Sequence, residues 1–444
     1  MATPVTHRPE LRRALGLGDL VLFNIAAVVG IGWLAAAAAA GPGSVTLWIL
    51  AALFFFVPSA MAVSTLSLAS PDEGGIYVWT RQSFGDWHGF LCGWCYWLSN
   101  LFYFPSLLMA GLSMAALAFG FAENQGLIIG ISLALLWLAL LTNLVGLDVG
   151  KWTNNIGAFS TFAAGALLVM AGLLAWIRTG PATPMHLLPR WDLDRLNFWS
   201  QIAFAFGGLE LGAVMGGEIR DPRRSLPRAA WISGLSIAGF YVLGTLAMLA
   251  LLPADKVNIM SGLVQAAQAA GARLGAPALA AAMIALVLAG VTGQVGAWSG
   301  GCARLPFVIG LDRYLPPVLG RLHPRWHTPH ISILLQGAIA TAFLVALQAG
   351  ENLRTGYQLL VDMTVVAYFI PFLYLFGAAW KHGRKASAAC GLLVTAMALV
   401  FSFIPPAGAA SAWLFELKLA GGCALLVLAA RMNFQYALKR RQDP

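Results

Sequence analysis

Two short glycine segments interrupt long apolar stretches at corresponding places in the two halves of this chain. The first is Gly30-Ile31-Gly32, and the second is Gly207-Gly208. Glycine weakens a helix because it has no side chain to pack and leaves the backbone free. Each segment therefore predicts a point where a helix stops and restarts.

An unwound backbone at such a point binds ligands without a charged side chain. A helix that restarts at Gly32 directs its first N–H groups outward, and they carry about half a positive charge. A carboxylate binds well to such a helix end. Carbonyl groups released between Phe204 and Gly208 suit an ammonium group. The two breaks together predict a site for a zwitterion, but the glycines could equally be packing contacts between helices.

Two carboxylates lie within apolar segments, at Glu210 and Asp362. An ionisable side chain inside a membrane costs ~2.5–3.5 kcal/mol on insertion scales and marks a functional site by default. Glu210 follows the second glycine segment, where unpaired backbone donors would solvate it. We therefore assign Glu210 a function, whereas for Asp362 a functional and a structural role are equally expected.

The remaining side chains that carry chemistry do not cluster. All seven histidines lie in loops or at the ends of apolar segments. Cys92 and Cys95 are three residues apart, but no second pair or histidine accompanies them at zinc spacing. We expect no metal and no cofactor, and the chain does not read as a membrane-embedded enzyme.

Composition places these segments in a membrane. Hydrophobic residues make up 59% of the 444, and charged residues make up only 10%, against about 25% in an average soluble protein. The mean hydropathy is +0.77. No water-soluble fold could cover so much apolar surface, so we expect an all-α integral membrane protein.

The apolar stretches predict about twelve transmembrane helices, with no strands. A short amphipathic helix at 76–84 is expected at the membrane interface, between the second and third spans. The predicted spans are 16–40, 44–69, 87–116, 126–146, 151–177, 197–217, 229–252, 277–303, 329–349, 357–380, 386–406 and 411–432.

Charge orients the chain. With the N-terminus in the cytoplasm, twenty of the 27 lysines and arginines fall on the cytoplasmic side, as the positive-inside rule requires. Both termini are then cytoplasmic. The net charge of +9 is explained by this placement, so it does not indicate nucleic-acid binding.

Four segments together resemble the amino acid–polyamine–organocation superfamily of membrane transporters. They are the G-I-G of the first span, PDEGGIYVWTRQSFG after the second, FAFGGLE followed by GEIRDPRRSLPRA, and GQVGAWSGGCARLPFVIGLDRYLPP. The resemblance covers nearly the whole chain and is closest to bacterial amino acid permeases and arginine/agmatine-type antiporters. It implies a single domain with the leucine-transporter fold: two inverted five-helix repeats at about 16–177 and 197–380, plus two helices at about 386–432.

The resemblance also implies roles for individual residues. Glu210 matches an acid implicated in proton sensing or coupling. The backbone N–H groups of the first glycine segment would bind the substrate carboxylate, and carbonyls near the two breaks would bind its amine. Trp298 matches a tryptophan that stacks on the substrate, and three further residues would line the pocket. The substrate-binding residues implied are Val28, Gly30, Ile31, Gly32, Asn100, Phe104, Phe204, Gly207, Gly208, Trp298 and Thr364.

The chain departs from the pattern in three ways. Ile31 replaces a small hydroxyl residue, bulky Trp33 follows directly, and 156–170 lacks the lysine found in some proton-coupled relatives. We expect a carrier of amino acids in the bacterial cytoplasmic membrane that works by alternating access. A polyamine or amine permease is the alternative, and a channel is less favoured. The sequence leaves open whether protons, sodium or a counter-substrate drive transport.

Overall fold

A computed structural model of the chain describes residues 13–122, 124–188, 202–259, 261–348, 353–404 and 412–442. The described part is helical, apart from short turns and an isolated bridge between Leu15 and Ile219. Residues 197–201, 349, 405–406 and 411 of the predicted spans lie outside the described residues. The helices are α1 (Leu17–Val28), α2 (Gly32–Ala39), α3 (Gly43–Ala69), α4 (Ile76–Phe84), α5 (Asp86–Phe119), α6 (Gln125–Val145), α7 (Leu147–Thr179), α8 (Leu211–Val214), α9 (Pro222–Leu251), α10 (Gly262–Leu274), α11 (Ala278–Cys302), α12 (Arg304–Leu311), α13 (His330–Gln348), α14 (Leu353–Lys381), α15 (Lys385–Ser402) and α16 (Ala412–Gln442).

Among the described residues, nine helices are long and apolar enough to span a membrane, and the bent pair of α1 and α2 makes a tenth span. The other two predicted spans are also recognisable. Helix α13 carries a shorter apolar segment at 330–346, and the sixth span is broken around α8. The prediction of an all-α, multi-span membrane protein is confirmed, whereas its division into two inverted repeats stays a prediction.

Helix ends differ from the predicted spans mainly on the side that carries the basic loops. Helix α9 begins at Pro222 rather than 229, because Pro222 follows Asp221 and fits the first turn of a helix. Helix α16 runs on to Gln442, ten residues beyond the predicted end. These extensions are polar and carry arginine and lysine, so apolar length alone did not include them.

Helix α4 has the predicted bounds, Ile76–Phe84, but its apolar face is covered by protein. Ile76, Tyr77 and Trp79 are buried, and the helix packs along α5. The Trp79 Nε1 donates a hydrogen bond to the Ser70 carbonyl at 2.8 Å. The segment therefore braces the end of α3 instead of lying separately on the surface.

The first broken span lies at the centre of the bundle. Helix α1 packs against α7, α9 and α11, while α5 packs against α14 on the other side. Helices α7 and α11 are in close contact at Gly157 and Gly293, where neither residue has a side chain to separate the backbones. This tight frame holds the breaks and the groups that contact them.

Candidate functional site

The first span breaks where the glycine segment predicted. Helix α1 ends at Val28, α2 begins at Gly32, and the two helices are bent by 47°. Among the described residues, the N–H groups of Ile31 and Gly32 have no hydrogen-bond partner. They stand at the N-terminal end of α2, where the aligned peptide dipoles favour an anion.

The sixth span also breaks, two residues later than expected. Residues 202–205 are helical, 206–210 form turns, and helix resumes only for the single turn of α8. At Gly208 the backbone takes a φ of +120°, which residues with side chains rarely adopt. A Cβ there would lie 2.9 Å from Val28 Cγ2. The two breaks are therefore in direct contact, and glycine permits it.

A cavity opens beside the first break, on the side of the Phe119 end of α5. Five of the substrate-binding residues expected from the sequence line it: Gly30, Ile31, Gly32, Phe204 and Thr364. None of its described lining residues carries a charged side chain. The other lining residues are Val29, Trp33, Tyr103, Ser106, Leu107, Ala110, Gly111, Met114, Thr161, Val287, Gly290, Val291, Gln294 and Val361.

The other expected residues lie around the cavity rather than on its wall. Asn100 is turned into the core, where its Nδ2 donates to the Tyr96 carbonyl at 2.8 Å and to Cys302 Sγ at 2.9 Å. Phe104 is fully buried in α5. Gly207 packs against the ring of Tyr368. These three residues pack around the site but do not line the cavity.

Trp298 lies just beyond the cavity and caps the end of α1. Its Nε1 donates to the Ala27 carbonyl at 2.7 Å, and Gln294 Nε2 donates to the same carbonyl at 2.9 Å. The Trp298 ring also meets Tyr103 edge-on, with centroids 6.0 Å apart. On its other contacts, the ring lies near Tyr96 and Tyr368, with centroids 6.0 and 5.9 Å away.

Glu210 is fully buried and is held by three donors. The hydroxyls of Tyr96 and Tyr368 donate to Oε1 at 2.7 and 2.5 Å, and the Gly208 N–H donates to Oε2 at 3.2 Å. These three hydrogen bonds offset part of the cost of burying this carboxyl group. Asp362, the other deep acid, is also buried and is not part of the cavity wall.

The Asp86 end of the bundle is closed by a second polar cluster. The Arg304 guanidinium binds the Glu218 carboxylate through two hydrogen bonds of 2.7 and 2.8 Å. Glu73 Oε2 accepts the Gly217 N–H at 2.8 Å, while its Oε1 lies 4.0 Å from Arg304 Nε. Burial, reinforced by the Glu218 carboxylate, raises the pKa of Glu73 well above its ordinary value, against the opposing effects of Arg304 and the Gly217 N–H.

Three polar contacts were missed from the sequence, made by Tyr241, Gln294 and Tyr368. The Tyr241 hydroxyl lies within hydrogen-bond distance of Gly30 N, Val28 O and Ala205 O. The one available signal was a hydrogen-bonding side chain inside an apolar span. Tyrosine is common enough in such spans that the signal could not single these residues out.

Comparison with known proteins fits this architecture. The model of the amino acid permease family matches residues 15–416. An uncharacterized transporter of Legionella pneumophila is 28% identical over 94% of this chain and 95% of its own. A probable agmatine/putrescine antiporter of Lactococcus lactis is 26% identical, covering 82% of this chain and 80% of its own. The serine/threonine exchanger of Bacillus subtilis is 24% identical, covering 98% and 99%.

The family match spans both breaks, the cavity and the closed end described above. It is a match to membrane transporters and not to enzymes, as the scattered histidines and cysteines predicted. The resemblance inferred from the sequence motifs is confirmed: this chain belongs to the amino acid permease family of the amino acid–polyamine–organocation superfamily.

Proposed function

We propose that this protein exchanges or takes up amino acids by alternating access, with the substrate held on the broken helices. The substrate carboxylate binds the N–H groups of Ile31 and Gly32, and its ammonium binds carbonyls at the second break. The observation that carries the proposal concerns the part of the chain that the structure describes: there, these two N–H groups have no hydrogen-bond partner, and the cavity that they line has no charged side chain. A zwitterion needs no counter-charge beyond what the backbone supplies.

The lining of the cavity favours an amino acid with an uncharged side chain. Leu107, Met114 and Val291 supply apolar surface, while Ser106 and Thr161 supply hydroxyl groups. A lysine- or arginine-like side chain would be buried there without a carboxylate partner, which is costly. A relative that exchanges serine and threonine is consistent with a neutral substrate.

A polyamine or amine is the second candidate, and one feature favours it. The aromatic rings of Trp33, Tyr103 and Phe204 all border the cavity, and aromatic faces attract cations. A related antiporter is named for agmatine and putrescine. An amine would nevertheless leave the two N–H groups of the first break without an anion.

The excess of basic residues in one set of loops supports an orientation with both termini in the cytoplasm. In that orientation the Asp86 end of α5 is the inner end, closed by Glu73, Glu218 and Arg304, and the cavity lies toward the outside. Transport then requires the inner cluster to separate while the outer end closes over the substrate. Rocking of one helix set against the other around the broken spans provides this motion.

Glu210 is the residue we propose for coupling. It lies between the cavity-side Trp298 and the closed end, joined to α5 through Tyr96 and to α14 through Tyr368. A change in its charge would alter both hydrogen bonds and hence the contact of the sixth span with its neighbours. The driving partner coupled through Glu210 would be either a proton or a counter-substrate.

Counterflow in proteoliposomes tests the proposal. Vesicles loaded with an unlabelled amino acid should accumulate the labelled form faster than empty vesicles, with saturation, for neutral amino acids. Putrescine and agmatine inside the vesicles should not accelerate it. Acceleration by the amines alone would assign the protein to the second candidate class. Flux that does not saturate would instead indicate a channel.

A further inference from the structure

One phenolic hydroxyl touches the backbone of both breaks. Tyr241 lies in α9, and its oxygen is 3.2 Å from the Gly30 nitrogen, 2.9 Å from the Val28 oxygen and 3.0 Å from the Ala205 oxygen. Gly30 and Val28 belong to the first break, and Ala205 is the last helical residue before the second. Tyr241 is fully buried.

The chemistry of a phenol limits how these three contacts are used. The hydroxyl has one proton to donate and lone pairs to accept. It accepts the Gly30 N–H and donates to one of two carbonyls at nearly equal distances. The O–H bond can therefore rotate to donate to either the Val28 or the Ala205 carbonyl without movement of the ring. An ammonium group that takes one carbonyl leaves the hydroxyl to satisfy the other.

The ring is fixed by its neighbours. Trp48 stacks on it with centroids 4.3 Å apart and planes 8° apart, and Phe206 meets it edge-on at 5.5 Å. Trp48 is itself held by a 3.0 Å hydrogen bond from its Nε1 to Thr245 Oγ1, one turn beyond Tyr241 on α9. A side chain locked in this way can set a distance between two backbone segments.

We propose that Tyr241 is a positioning residue for the substrate site, holding the two breaks at the spacing that a zwitterion needs. This inference rests on the proposed function, because the spacing matters only for a ligand that bridges both breaks. The hydrogen bond with Gly30 fixes the backbone next to the N–H groups that would bind the substrate carboxylate. The contacts with Val28 and Ala205 fix the carbonyls that would bind its ammonium.

The discriminating variant is Tyr241→Phe, which removes the hydroxyl and keeps the ring that stacks on Trp48. Binding would be measured on purified full-length protein for three probes: the neutral amino acid that the wild type transports, the matching amine without a carboxylate, and the matching acid without an amine. Tyr436→Phe is the matched control, because Tyr436 is 69% exposed on α16.

We expect Tyr241→Phe to raise the Kd of the amino acid about tenfold, the size of one well-placed hydrogen bond. The Kd of each single-ended probe should change by less than about twofold, since neither bridges the breaks. A merely structural loss would instead weaken all three probes together. Equal weakening, or an unchanged Kd for the amino acid, contradicts the proposal.

A second variant keeps the test available if Tyr241→Phe does not fold. A 4-aminophenylalanine at position 241 still donates to the carbonyls but accepts the Gly30 N–H poorly. The Kd of this variant for the amino acid should be higher than that of the wild type, and an unchanged Kd contradicts the proposal. Failure of the proposed function would look different, because the wild type itself would then bind no amino acid.

Discussion

The hydroxyl of Tyr368 donates a 2.5 Å hydrogen bond to Glu210 Oε1, joining α14 to the break in the sixth span. Tyr96 donates to the same oxygen from α5. One carboxylate oxygen thus connects α5, α14 and the sixth span. A change in the charge of this carboxylate would therefore alter the contacts among these three elements.

Removing the charge of Glu210 should slow transport more than it weakens binding. In Glu210→Gln, the amide oxygen still accepts from a tyrosine, but the nitrogen that replaces Oε2 cannot accept the Gly208 N–H. Hydrogen bonds to charged groups contribute ~1.5–3 kcal/mol, so we expect the counterflow rate to fall at least about tenfold with a smaller change in Kd.

The matched control is Glu416→Gln, at an exposed position on α16, which should behave as the wild type. Rates would be measured from pH 5 to 8. If Glu210→Gln keeps the wild-type rate and its pH profile, Glu210 has no coupling role.

A methyl group at Gly32 should impair binding without destabilising the fold. A Cβ built there meets nothing within 4 Å and sits beside the N–H groups that face the cavity. It would keep a carboxylate from reaching hydrogen-bond distance of ~2.9 Å. Alanine also favours helix over glycine by ~1 kcal/mol, so we expect Gly32→Ala to raise the Kd about tenfold while Tm stays equal or rises.

Gly239→Ala in α9 is the control for this effect, since a Cβ there also meets nothing within 4 Å and Gly239 is not part of the cavity wall. Binding by isothermal calorimetry and thermal unfolding would be compared for both variants. If Gly32→Ala binds the substrate with wild-type affinity, the substrate carboxylate does not bind at this helix end.

Much of this arrangement was predictable because it depends on features that sequence encodes locally. Glycine segments marked both breaks, apolar length marked the spans, and the isolated deep acid marked Glu210. The pocket was less predictable, because Asn100 and Phe104 share their helix with cavity residues but face the core. Which face of α5 borders the cavity depends on how α5 packs against α11 and α14.

The contacts of Tyr241 could not be predicted for a related reason. Two of the three contacts join residues more than 200 positions apart, and all three reach a backbone that is exposed only after both helices break. No local pattern records that a phenol from α9 meets both breaks. The second break starts at Phe206 rather than Phe204, and Gly207 in this break packs on Tyr368, a residue distant in the sequence.

Glu73 should make stability depend on pH. Burial raises its pKa, so the folded protein binds this proton more tightly than the unfolded chain, whose glutamate has a pKa near ~4.3. Stability from this group is therefore greatest at low pH and is lost as pH rises through the raised pKa of the folded state. We expect Tm in detergent to fall from pH 5 to 8.

Glu73→Gln should flatten that fall and raise Tm at pH 8, since it removes a buried charge beside Glu218 while keeping an oxygen for the Gly217 N–H. Asp72→Asn, at the exposed neighbouring position, should follow the wild-type curve. Parallel curves for Glu73→Gln and the wild type would show that Glu73 does not titrate in this range.

Transport should not require sodium at the breaks. The Ala27 carbonyl already accepts from Gln294 and Trp298, and the Val28 and Ala205 carbonyls lie at the Tyr241 hydroxyl. A bound cation needs several oxygen ligands directed at it. Because the Tyr241 hydroxyl donates to one of its two carbonyls at a time, only one of these three carbonyls is left without a protein donor. Replacing sodium by choline should leave the initial counterflow rate unchanged. If the rate falls in choline, a sodium ion binds among these carbonyls.

The central claim is tested most directly by a cryo-electron-microscopy structure with a transported neutral amino acid bound. We predict density in the cavity with its carboxylate within ~3.2 Å of the N–H groups of Ile31 and Gly32, and its ammonium facing the carbonyls of the sixth-span break. A substrate bound elsewhere, or a first span that runs as one unbroken helix through Gly30, would contradict the account.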